Sequence, residues 1–160
     1  VSVALVFDPG PVEDELVALL KANIAEVHGE VYPTTDPHTD MQHVVRHPPS
    51  LLVQHTTLAL APGSQPAGRA PITRRCIAGF RVVVVHRNLR RTESDRETAG
   101  LYEIMDLVLD ELFDLRLARF DGPFDLDDPP WEAIEDDEAK RLQAWAVNVA
   151  APLTLRSTIT

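Results

Sequence analysis

The run GFRVVVVHRNLRR, Gly79 to Arg91, decides the fold. Val82 to Val85 are four β-branched residues in succession, and such side chains favour the extended chain. No polar residue alternates with them, so both faces of this strand must be covered. The reading is a strand over residues 72–86, the longest in the chain, at the centre of a sheet. The same run ends in Arg87, Arg90 and Arg91. Three guanidinium groups where a core strand leaves the core call for an acidic partner, in a chain whose net charge is −10.

Working outward, residues 50–60 form the preceding strand. Leu51, Leu52 and Val53 give its apolar run, and Thr56 and Thr57 favour extended backbone. APGSQPAGRAP, residues 61–71, has three prolines and two glycines and reads as the loop between the two strands. Further upstream, Gly10-Pro11 precedes Glu13, Asp14 and Glu15, which suits a helix start. Val12, Leu16, Leu19, Leu20, Ile24 and Val27 then recur at helical spacing, and Gly29 stops a helix over 11–28. Residues 30–33 look like a short strand end, and 34–49 like a loop. Downstream, Ser94 and Glu97 have the spacing of a capping box. Leu101, Ile104, Met105, Val108 and Leu112 continue at helical spacing, giving a helix over 95–117. After Gly122-Pro123, residues 131–135 and 142–151 read as a hairpin joined through 136–141. Val1–Phe7 reads as an edge strand or as an arm laid on a neighbour. Residues 1–160 therefore form a single α+β domain. It is a mostly antiparallel sheet of about 4–5 strands with two helices packed on one face.

Composition narrows the function. With 44% apolar and 25% charged residues, the 160-residue chain can bury an ordinary core. No stretch is long and apolar enough for a membrane span, and the first residues lack the basic start of a signal peptide. The single cysteine, Cys76, excludes an internal disulfide and fits a reducing cytosol. A sequence pI near 4.9 argues against nucleic-acid specificity. The charge is unevenly placed, however. Arg69, Arg74, Arg75, Arg81, Arg87, Arg90, Arg91 and Arg96 fall within 28 residues, while Asp121 to Glu138 holds nine acidic residues and no basic one. Opposed surfaces of this kind dock copies head to tail, although solvated loops would carry the same runs.

Catalytic motifs are scarce. His38, His43 and His47, beside Asp36 and Asp40, invite a metal reading, but their spacing and prolines do not suit a fixed zinc site. Neither metal nor cofactor is expected. Asp127-Asp128 and Asp136-Asp137 are adjacent pairs, which do not face each other across a cleft as catalytic carboxylates do. Cys76 reads as a core residue; a nucleophile would need a nearby histidine. Trp131 and Trp145 fit interface anchors or aromatics stacked across strands.

The Arg87-Asn88-Leu89-Arg90 turn precedes a helix with Gly100, Tyr102, Asp106 and Leu112. With EDELVALLKA (13–22), Val31-Tyr32-Pro33, and a last strand with Trp145 and Val147 ending near Pro152, it resembles a family of Mu-like prophage tail proteins. These look like tail terminator (tail completion) proteins. The likeness covers roughly residues 11–33 and 80–152. A glycine expected soon after Arg90 is replaced by Arg91-Thr92-Glu93-Ser94, and the acidic stretch 121–130 is heavier than the family pattern. The resemblance implies a non-enzymatic virion tail protein, assembled in the host cytoplasm. It implies a ring, usually a hexamer, that caps the tail tube and meets the neck connector and, in contractile tails, the sheath. The inter-subunit or tube interface is then expected to pair Arg87, Asn88, Arg90 and Arg91 with Asp127, Asp128, Asp136 and Asp137. Another neck or head–tail connector ring, a small hydrolase built on the His-rich loop and Cys76, and a monomeric acidic adaptor are the alternatives.

Overall fold

The computed structural model describes residues 3–5, 7–43, 49–62, 73–87, 100–137 and 142–159; at 3–5, 38, 42–43, 87, 135–137 and 157–159 the description is of the backbone alone. In chain order the elements are β1 (Val3–Leu5), α1 (Gly10–Asn23), β2 (Val31–Pro33), α2 (Pro37–His43), β3 (Ser50–Leu60), β4 (Thr73–Arg87), α3 (Leu101–Leu112), β5 (Asp125–Asp137) and β6 (Leu142–Ile159). The six strands make one sheet in the order β1-β6-β4-β3-β2, with β5 also on β6. β1 and β5 share one side of β6, at its two ends. Among the described residues only the β2–β3 pairing is parallel. The fold is the expected α+β class. The three-residue β1 and β2, which read as an edge strand or arm and as a short strand end, bring the described strands to six.

β4 lies between β3 and β6, as its four valines require. Alternate residues serve opposite faces. Cys76, Ala78, Phe80, Val82 and Val84 join the main core, which includes Val12, Leu16 and Leu20 of α1 and Ile104, Met105, Val108 and Leu112 of α3. Val83 and Val85 join a smaller cluster on the other face with Leu52, Leu142, Ala144, Ala146 and Met41. Both long helices thus cover one face, and Met41 of α2 covers one end of the other.

Several boundaries differ from the sequence reading, each for a local reason. α1 ends at Asn23. The following turn is a short 3-10 helix at Ala25–Val27, closed by His28 and Gly29 at φ 52° and 77°. Residues 37–43 are helical where a loop was expected. Pro37 occupies the first turn, and Asp36 caps it: its carboxylate accepts from the Thr39 N–H (3.4 Å) and hydroxyl (2.6 Å), while its carbonyl accepts the first intrahelical bond from the Asp40 N–H (3.0 Å). α3 ends at Leu112 and not near 117, because Asp114 takes φ 61°. The chain then turns back, with Asp114 N–H donating to Phe124 O and Phe124 N–H to Leu115 O. The proposed capping box at Ser94–Glu97 lies outside the described residues.

β5 and β6 are both longer than expected. β5 begins at Asp125, within what read as an acidic loop. Its pairing with β6 is interrupted between Leu126 and Trp131, so Asp127-Asp128-Pro129-Pro130 forms a bulge containing a cis Asp128–Pro129 bond. Proline donates no hydrogen bond, and an edge-strand bulge is where a sheet tolerates it. β6 runs on past Pro152 for a related reason. β5 reaches only to Ala150, so the side of Pro152 that lacks an N–H faces no strand. Its carbonyl accepts the Asp121 N–H at 2.8 Å.

Candidate functional site

The two charged runs are joined within the chain through Arg81 and Glu132. Arg81 stands opposite Asn148 in the β4–β6 register, on the face away from the long helices. Arg81 Nη2 lies 2.7 Å from Glu132 Oε1, and Nε donates to Asn148 Oδ1 at 3.3 Å. Asn148 Nδ2 donates to Glu132 Oε1 (3.1 Å) and to Pro129 O (2.8 Å). One arginine from the basic segment and one glutamate from the acidic run are therefore joined in a single chain, with Asn148 fastening the proline bulge over them. The sequence reading missed this network. The signal was present in Arg81, a charged residue preceding four valines in a strand covered on both faces.

The bulge crosses the sheet. A Cβ at Gly79 would lie 2.5 Å from Thr57 Oγ1, 2.9 Å from Thr56 Oγ1 and 3.4 Å from Asp127 Oδ2. Asp127 belongs to β5, two strands from β4, so its carboxylate reaches over β6. The glycine gives the close approach its room.

The expected interface residues separate. Arg87 closes β4 opposite Leu142, and Asp137 stands opposite Leu142 from the other side, with Asp136 opposite Gln143. Arg87 and Asp137 thus share one row of the sheet, about 10 Å apart across β6. Asp127 and Asp128 lie between the rows of Val147 and Val149, about 20 Å along the strand from that end. Asn88, Arg90 and Arg91 lie outside the described residues. The acidic run is thus two groups: one at the sheet end where β4 leaves, the other in the bulge.

The remaining candidates take structural places. Cys76 is buried in the main core, and burial pushes its thiol above the ordinary value. That is the reverse of an activated nucleophile. His38 and His43 fall five residues apart on α2, where helical ligand pairs such as H-E-x-x-H are four apart; His47 lies outside the described residues. Among the described residues no group of three His, Cys, Asp or Glu could hold a metal ion. Trp145 meets Tyr102 of α3 edge on, with ring centroids 6.4 Å apart, and Trp131 stands opposite Val147 with half its surface exposed.

Glu13 on α1 accepts the His55 backbone N–H at 3.2 Å, which ties the helix to β3. Burial raises its carboxyl above the ordinary 4.5, against the lowering effect of that hydrogen bond. A raised folded-state value means the contribution to stability is fully present below 4.5 and is lost as pH rises through the folded value. Glu13→Gln keeps an acceptor without the charge. Urea unfolding should find it more stable than the wild type near neutral pH, with the advantage shrinking in acid. An equal difference at both pH values would contradict the burial effect.

No family model matches the chain, and no curated protein matches it. Among solved structures, it is similar to a chain of the "Virion of native gene transfer agent (GTA) particle", at 16% identity and a TM-score of 0.45, covering 89% of this chain and 92% of that one. A likeness this slight decides nothing about function.

Proposed function

We propose that this chain is a tail terminator: a structural protein of a phage-like tail that forms a ring on the end of the tail tube, stops its growth and joins it to the neck. The sequence resemblance suggests the class. The observation that carries the reading is the separation of charge across one sheet. β5, on one edge, belongs to the run with nine carboxylates and no base. Toward the other edge, β3 and β4 lie in a stretch, Met41 to Thr92, with eight arginines and no acid. Subunits polarised in this way attract head to tail, and head-to-tail contacts make a ring where the rotation between copies closes.

In this reading Arg87, Asn88, Arg90 and Arg91 contact the next subunit or the tube. The planar guanidinium forks of the three arginines suit two-point carboxylate contacts. The bulge carboxylates Asp127 and Asp128 are the better partners across the subunit joint, because Asp137 shares a sheet row with its own Arg87, whereas the bulge lies about 20 Å along the strand from it. The double reversal Arg90→Glu/Arg91→Glu should weaken the ring and leave the monomer folded. Light scattering during size-exclusion chromatography, with circular dichroism on the same fractions, checks both. An unfolded double variant would assign these arginines to the fold. The reading itself is tested by negative-stain imaging of purified protein, alone and mixed with tail tube protein. Closed rings, or caps on tube ends, are expected. A monomer that ignores the tube would overturn it.

A further inference from the structure

The edge of β3 is closed along its first half and open along the rest. Leu51 N–H donates to Glu30 O, Val53 O accepts from Thr34 N–H, and His55 N–H reaches Glu13. The β3–β4 register then shifts between His55 and Thr57. Beyond it, Ala61 N–H donates to Arg75 O, which makes Ala61 and Arg75 a hydrogen-bonded pair. By alternation the N–H and C=O of Leu58 and Leu60 point outward. Among the described residues nothing pairs with them. Thr56 to Leu60 carries no charge and no proline, and Leu58 and Leu60 are 42% and 63% exposed. Proteins normally protect such an edge.

The opposite edge matches it. β5 pairs only with β6 among the described residues, leaving its outer side open. Leu126, Trp131 and Ala133 stand opposite Val149, Val147 and Trp145, so they share the helix-bearing face, yet all three are exposed because neither helix extends over β5. Leu58 and Leu60 stand opposite Ala78 and Cys76 of the main core, which puts them on that same face. The two edges therefore carry uncovered apolar residues on one side of one sheet; the β5 edge is acidic, and the β3 edge carries no charge of its own.

We propose that copies of this chain join edge to edge. The open edge of β3 at Thr56–Leu60 takes the outer edge of β5, Trp131–Asp137, from the next copy, extending one sheet into the other. Leu58 and Leu60 then pack beside Trp131 and Ala133 of the neighbour, while the acidic strand meets the acid-free half of the sheet. Because the two edges differ, the contact repeats head to tail. This rests on the ring reading and names the joint that closes it.

Leu60→Pro removes an outward N–H and leaves the β4 ladder intact. Trp131→Asp/Ala133→Asp disables the other edge. Sedimentation velocity should find the wild type assembled and each variant a folded monomer. Mixing the two should give a dimer only, since one intact β3 edge meets one intact β5 edge. Hydrogen exchange should show the Leu58 and Leu60 amides protected in the assembly alone. If Leu60→Pro fails to fold, Leu58→Glu/Leu60→Glu replaces it. A Leu60→Pro protein that assembles as the wild type does overturns the edge pairing and leaves the ring reading standing. A wild type that stops at a dimer also overturns it, since that points to like edges pairing. A wild type monomeric alone and on the tube overturns both.

Discussion

Phe80→Ala is expected to cost about 3–5 kcal/mol, the largest loss of any single substitution considered for this chain. Phe80 is fully buried on the central strand. Its ring lies 5.1 Å from His55, 6.2 Å from Phe120 and 5.9 Å from Phe124, and the last two are 5.0 Å from each other. Phe120 and Phe124 come from the turn after α3, so this one side chain holds β3, β4 and that turn together. Alanine would leave a cavity walled by rings that the sheet keeps from closing in. The loss is a large fraction of the roughly 5–15 kcal/mol that a domain has in all. A fall in Tm of about 6–20 °C should follow for a chain of this length. A calorimetric shift of only a degree or two would mean that the aromatic cluster is not packed as described.

The second large effect concerns the joined charges. Glu132→Ala is expected to destabilise the fold by about 1–3 kcal/mol, because it strips Arg81 of its carboxylate and takes one acceptor from the Asn148 amide. Arg81 and Glu132 keep side-chain exposures of 28% and 33%, so water moderates the loss toward the lower figure. A double-mutant cycle with Arg81→Ala isolates the pair. A coupling of about 0.5–3 kcal/mol, smaller at high salt, is expected. Strict additivity would show that the two residues act independently. The bulge gives a second readout. With Glu132 gone, Asn148 keeps only Pro129 O among its bulge partners, so the amides of Asp127 and Asp128 should exchange faster.

Periodicity carried most of the architecture. Four successive valines require cover on both sides, and β4 obtains it from β3 and β6 within the sheet and from apolar clusters on its two faces. The apolar spacings of α1 and α3 give their buried faces directly, and the 50–60 strand has the expected limits. What the residues alone determined is therefore which segments are apolar on which side, because side-chain direction repeats with a fixed period in each kind of backbone. They also determined that positive and negative charge sit in separate segments.

Only the tertiary structure decided which of those charges meet. Arg81 and Glu132 are far apart in the chain, and although the place of Arg81 before four valines marks it as a charge that needs a partner, nothing local distinguishes Glu132 from Asp136. Arg81 and Glu132 pair because the register of β4 and β5 on β6, with the four-residue bulge in β5, brings those two side chains onto one face. The same register sets the row that holds Arg87 and Asp137. The open edges were equally hidden. A strand's sequence states its faces, but whether its backbone groups have a neighbour depends on strand order, and that is settled by contacts between segments remote in the chain.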